Sequence, residues 1–398
     1  LKCYQEFKNK SEKSKHSLDF LLRNKCHMNL SYWEIKTWLS NVDFTIIGSG
    51  IVGISCAIQL RHRFPSAKIL ILEKGMLPQG ASTKNAGFAC FGSLSEIIDD
   101  LKTHSKQETL DLIKQRVSGL QLLRKTLGDE TIDYRQLGGY ELFNNRDNLL
   151  YSSCLEQQDA INELVFPVFN ESVFSIKENP FGFHNIKEKL SFNKFEGQID
   201  TGKMMQALMD KATNLRINIL NNCLVESFTD TSEGVFVKTK NFEYKTGKVF
   251  IATNGFASQF IEDIVAPARA QVIITKPIKN LSIKGTFHLD QGYYYFRNIN
   301  NRILLGGGRN LDFKGEETTS FGQSKLIQDH LEELLKYIIL PDQDIEIEHR
   351  WSGIMGVGKQ KKPVLNQLSN NVYCGVRLGG MGVAIGSLVG RDLADLLA

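Results

Sequence analysis

Three glycines and one glutamate carry the plainest chemistry in this sequence of 398 residues. Gly48-Ser49-Gly50-Ile51-Val52-Gly53 follows the apolar run Phe44 to Ile47 and opens a stretch whose apolar residues recur at helical spacing. The pattern suits a pyrophosphate. Gly48 permits a tight turn, Gly50 lets phosphate oxygens reach the backbone at the positive end of a helix, and Gly53 lets that helix pack close to the strand. A second apolar run, Lys68 to Leu72, predicts the next strand. Glu73 ends it about twenty residues after Gly53, where a carboxylate can accept from ribose hydroxyls, and Lys74 follows. Strand, turn, helix, second strand and terminal acid together imply a dinucleotide site, and by themselves leave NAD and FAD open.

The elements that must position this site are read from the rest of the chain. With 42% hydrophobic residues the sequence can bury a large core, and its length predicts two or three domains. Forty-eight Lys and Arg against 44 Asp and Glu leave a net charge of +4, with no basic stripe. This balance argues against nucleic acid as a partner. No apolar run is long enough for a membrane span. Seven scattered cysteines with no CxxC pair fit neither a zinc site nor a disulfide framework, so a reducing, cytoplasmic setting is expected. The lysine-rich stretch Leu1–His27 reads as a tail, or as a start placed ahead of Met28.

After Gly75 a loop rich in Gly, Ser and Asn leads to a helix predicted from about Glu96 to Gly128. From Tyr134 the texture becomes strand-like, with an acidic helix near Leu155–Leu164. The nucleotide-domain pattern resumes at EGQIDTGKMMQAL, and VFIATNG ends a strand at Ala252-Thr253-Asn254-Gly255, the strand end where open α/β sheets bind ligands. PARAQV begins a second β-rich stretch with a hairpin predicted around Asn298–Asn301. The chain closes with a strand, the turn Gly379-Gly380-Met381-Gly382-Val383 and a helix. The expected fold is mixed α/β: a Rossmann-like domain (41–133, 195–265 and 345–398) interleaved with a β-sheet-rich substrate domain (134–194 and 266–344), after an N-terminal extension, 1–40.

These blocks, in this order, resemble the glycine oxidase and D-amino-acid oxidase family of FAD-dependent amine oxidoreductases. The resemblance covers nearly all of Val42 to Ala398 and rests on Gly48–Gly53 with Glu73, GASTKNAG, EGQIDTGKMMQAL, VFIATNG, PARAQV, GYYYFR with ILLGGGR, and GGMGVAIGSLVG. It implies bound FAD and transfer of hydride from the carbon beside an amine to flavin N5, the imine then hydrolysing. It implies cofactor contacts from the loop residues Ser82, Thr83, Asn85, Ala86 and Gly87, from Val225, from the turn Ala252 to Gly255, and from the turn Gly379 to Val383. The electron acceptor is left open among oxygen, a quinone and a flavoprotein. An NAD-dependent dehydrogenase and a tRNA-modifying oxidase module stand as alternatives, the first weakened by the GASTKNAG loop and the glycine-dense closing turn.

The substrate is expected to be a small amine or amino acid, so a cation for its carboxylate is the residue to find. Arg297 is the first candidate. Strand alternation puts it on one face with Tyr293 and Tyr295, and Tyr294 and Phe296 on the other. Arg377, just before the closing turn, is the second. Arg309, after the Gly306–Gly308 run, is a third that reads more readily as structural, and His288 reads as a packing or solvent-facing histidine beside the cavity strands. In the glycine oxidase branch an arginine of a GLRP-like stretch pairs the carboxylate; the matching stretch here is Gly353-Ile354-Met355-Gly356, so Met355 replaces it. Sarcosine-oxidase-like relatives carry a flavin-linked cysteine at that position, so the resemblance implies non-covalent FAD.

Overall fold

The computed structural model describes residues 29–261, 264–341 and 343–397. The tail expected at Leu1–His27 lies outside them. Of the expected N-terminal extension, residues 32–39 are helical, and Leu39 is buried against the first sheet. The apolar run at Phe44 folds as the strand Val42–Ile47, in the middle of an eight-stranded sheet. Glu243–Ile251 and Ile69–Leu72 flank it in parallel, with Asn218–Leu220 beyond one and Val372–Val376 beyond the other. Val42–Ile47, Ile69–Leu72 and Val372–Val376, buried almost throughout, read as apolar runs rather than alternating ones. The helices Ile51–Arg63, Lys106–Leu127 and Gly382–Asp395 pack together on one face.

A second eight-stranded sheet runs in the order Ile347–Val357, Ala266–Thr275, Arg302–Gly307, Tyr294–Ile299, Thr286–Leu289, Gly139–Leu142, Lys189–Asn193, Phe174–Glu178. Alternation along its strands separates Tyr295 from Tyr294 and Phe296, whereas Tyr293 precedes the strand and packs against the same core as Tyr294. Phe287 and Phe296 stack at 4.5 Å in a core with Leu305 and the helix Lys325–Leu334, while Val272, Tyr295 and His288 line the cavity on the opposite side. Asn300 and Asn301, both at positive φ, make the tight turn of the hairpin.

Three expectations shift. The helix expected from Glu96 to Gly128 is two helices, Leu94–Thr103 and Lys106–Leu127, because Ser105 forms a reciprocal capping box with Glu108. The acidic helix extends over Asn148–Phe169. The boundary expected at 345 falls before Ile347–Val357, yet that strand pairs along its length with Ala266–Thr275 and so belongs to the second sheet. No helix among the described residues is long and apolar enough to cross a membrane.

Candidate functional site

A long cavity runs from the carboxyl ends of the first sheet's strands to the exposed face of the second. At its first end the glycine turn is tightly fitted. Gly48 has φ +103°, and a Cβ on it would lie 2.9 Å from the Ala252 carbonyl oxygen; a Cβ on Gly53 would lie 2.0 Å from the Gly48 oxygen. Glu73 is buried. Its Oε2 accepts from the Ser49 amide and hydroxyl at 3.1 and 2.7 Å, and its Oε1 accepts from the Gly75 amide at 3.0 Å. The carboxylate therefore braces the turn and keeps acceptor capacity toward the cavity, since each oxygen takes more than one donor.

The Ser82 hydroxyl accepts from the Ile51 amide at 3.0 Å, joining the GASTKNAG loop to the helix start. Asn254 joins two turns: its Oδ1 accepts from the Arg377 and Leu378 amides at 3.1 and 3.3 Å. Of the residues expected at the cofactor, Gly48, Ser49, Gly50, Ile51, Val52, Glu73, Lys74, Ser82, Asn85, Ala86, Val225, Ala252, Thr253, Asn254, Gly379, Gly380, Met381, Gly382 and Val383 line the cavity. Four stand behind it. Gly53 packs on Gly48, Gly255 on Met355 and Gly87 on Ile199, while the Thr83 hydroxyl donates to the Pro78 and Gly80 carbonyls.

The other end of the cavity is the second sheet. Tyr295 lines it, with its ring across Gly306, where a Cβ would come within 2.6 Å of the ring. Neither favoured arginine does. Arg297 is buried behind the wall beneath Gly87, where burial pushes its guanidinium down to about 10 against the pull of Asp200 and Asp133. Arg377 adopts φ +65° and donates to the carbonyls of Lys362 and Ile264, which takes its side chain out of the cavity.

Arg309, the third candidate, lines the cavity. Among the described residues its guanidinium has no hydrogen bond or ion pair, and it rests on the Phe313 ring at 4.8 Å. Burial pulls it below the usual arginine range, with Tyr293, Glu316 and Glu317 opposing. Lys361 also lines the mouth but pairs with buried Asp100 at 2.5 Å.

His288 also lines the cavity. Its Nε2 meets Glu196 Oε1 at 2.6 Å, and the Thr286 hydroxyl donates to the same oxygen at 2.7 Å. Glu196 lies over Gly139, where a Cβ would be 2.4 Å from the carboxyl carbon. Burial opposes protonation of His288, but the charge and hydrogen bond of Glu196, with the charges of Glu96 and Glu141, push it up to about 9. Glu196 thus favours the protonated ring.

The family model described as FAD dependent oxidoreductase matches residues 43–396. The chain belongs to that family. It is 23% identical over 388 residues to gamma-glutamylputrescine oxidoreductase of Escherichia coli, covering 89% of this chain and 83% of that protein. Iminodiacetate oxidase of Chelativorans sp. BNC1 superposes with a TM-score of 0.71 at 17% identity, over 89% of this chain and 95% of that one. Glycine oxidase of Bacillus cereus gives 0.68 at 19% identity, over 89% and 94%. As an FAD-dependent oxidoreductase the chain needs a cradle for a long anionic cofactor. The cavity supplies one: the glycine turn, the uncapped amino end of the helix Gly382–Asp395, and the buried Thr253 hydroxyl, which has no partner among the described residues.

Proposed function

We propose that this FAD-dependent oxidoreductase oxidises a C–N bond of a small amine that carries a carboxylate. The observation that carries the reading is Arg309, a half-buried cation lining the substrate end of the cavity with no ion pair or hydrogen bond to its guanidinium among the described residues. Leaving such a charge unpaired is costly, and an incoming carboxylate satisfies it in bidentate geometry. The relatives named above are described as acting on glycine, iminodiacetate and gamma-glutamylputrescine, all of which carry both nitrogen and carboxylate.

Glu73, the Gly48–Gly50 turn, Ser82, Thr253 and the Gly380–Val383 turn would hold FAD, non-covalently because Met355 offers no thiol for a link. Bound FAD supplies a two-electron acceptor for a substrate that loses hydride from its C–N carbon and leaves as an imine, which water hydrolyses to a carbonyl compound and an amine or ammonia. The chain's own residues bind and orient. Arg309 anchors the carboxylate, and Tyr295, Phe88, Val272 and Ala270 give the cavity an apolar wall that limits water.

Anaerobic bleaching of the flavin by a panel of amino acids, N-alkylglycines and carboxylate-free amines tests this. Air readmission then separates oxygen from a quinone or flavoprotein as acceptor. Carboxylate-bearing amines should bleach the flavin, and Arg309→Met should raise their apparent KM at least tenfold while leaving carboxylate-free amines unchanged. Equal bleaching by both classes in the unaltered enzyme would overturn the carboxylate assignment, and no bleaching by any amine would overturn the reaction.

A further inference from the structure

The cavity wall holds a second cation that binding one carboxylate does not use. His288 is 5% exposed and lines the cavity. Its Nε2 is committed to Glu196, whereas Nδ1 has no hydrogen-bond partner among the described residues. The ring cannot turn away. Glu196 holds one edge, Phe88 packs edge-on at 5.3 Å, and Tyr295 and Glu141 are its register neighbours on the two adjacent strands. Glu141 is spent on Ser93 and on the Ser95 amide and hydroxyl. The imidazolium is thus fixed from behind and has one N–H left to give.

Placement separates it from Arg309. His288 pairs with Tyr295, and Tyr295 with Gly306, so two strand spacings of about 4.8 Å each lie between His288 and the strand that leads into Arg309. The strand of Tyr295 lies between the strand of His288 and the strand Arg302–Gly307. Of the other charged groups lining the cavity, Glu96 Oε2 accepts from the Ser93 amide at 2.8 Å, Asp99 pairs with Lys102 at 3.3 Å and Lys361 pairs with Asp100, while the Lys84 ammonium lies 5.9 Å from the centre of the Phe321 ring with no ion pair among the described residues.

We propose that His288 is a second anion-recognising residue of this cavity, so that the preferred substrate is an amine bearing two carboxylates, one received by Arg309 and the other by His288. This rests on the amine-oxidising reading and narrows it. With one carboxylate bound at Arg309, the Nδ1 side of His288, already ion-paired with Glu196 through Nε2, keeps no acceptor among the described residues, so the second carboxylate contributes affinity rather than reactivity.

The test uses FAD-loaded protein and ligands that cannot be oxidised at nitrogen. Thiodiacetate and (methylthio)acetate, which replace the amine by sulfur and differ by one carboxylate, are titrated against the flavin absorbance spectrum. Thiodiacetate should bind at least tenfold more tightly. His288→Gln should bring the ratio below threefold by weakening thiodiacetate and sparing (methylthio)acetate, whereas Arg309→Met should weaken both. A variant that fails to fold leaves a measurement on the unaltered protein: the thiodiacetate advantage should fall as pH rises past 9, with (methylthio)acetate changing less. Equal affinity for the two ligands at pH 7, or a ratio unchanged by His288→Gln, would overturn the proposal. Because binding is read without turnover, that outcome is distinct from failure of amines to bleach the flavin.

Discussion

His288 shows how a single residue acquires properties that its neighbours in sequence do not supply. The carboxylate that holds it comes from Glu196, 92 positions away, and the flanking charge comes from Glu141 on the parallel neighbour strand. In the unfolded chain its pKa reverts toward 6.5, whereas in the fold it is raised to about 9. A raised folded value means stability that is fully present below 6.5 and lost as pH rises through 9. Urea unfolding at pH 6.5 and 9.5 should therefore show a loss in the native enzyme on the order of 2 kcal/mol larger than in His288→Gln. Parallel loss in both would show that the pair does not control this window. The same nonlocal origin explains why local spacing does not rank Arg309 above Arg377 as a cavity residue. Alternation orders side chains only within a strand, and both arginines stand just outside one, Arg309 after the left-handed Gly308 and Arg377 itself at positive φ.

At the scale of elements, the sequence was most legible where one segment contains all of its own determinants. The glycine turn, the strand ends at Glu73 and Ala252, and the Asn300-Asn301 hairpin each follow from local spacing and turn chemistry. The break between Leu94–Thr103 and Lys106–Leu127 was equally local, written in Ser105 and Glu108, but apolar periodicity continuing across it hid the cap. Contacts between distant turns were not legible. Asn254 is one such contact, with a single oxygen holding the Arg377 and Leu378 amides just ahead of the glycine-dense turn. Asn254→Ala leaves both amides without that acceptor and frees the approach to Gly379–Val383. FAD affinity should fall about tenfold, in line with roughly 1–2 kcal/mol for the lost bonds, with far-ultraviolet circular dichroism unchanged. Calorimetric titration of the stripped protein with FAD measures it, and native affinity would show that the closing turn holds its shape alone.

In the whole molecule, the two sheets meet around one cavity, and the chain passes between them repeatedly. The cofactor end draws on Gly48, Glu73, Ser82, Val225, Thr253 and Gly380, which span more than three hundred positions of the chain. A ligand that bridges such distant segments binds the folded state and not the unfolded one, so mass action must couple its occupancy to global stability. At a free FAD concentration one hundred times Kd the gain is about 2.7 kcal/mol. Melting temperature should thus rise steadily with FAD in the stripped protein. Glu73→Ala should require a higher concentration for the same rise, because the carboxylate braces Ser49 and Gly75 at the nucleotide end. AMP alone, which reaches only that end, should stabilise less than FAD, and Glu73→Ala should weaken its effect by the same factor as that of FAD. A melting temperature indifferent to FAD would mean that the glycine turn and the distant closing turn do not serve one ligand.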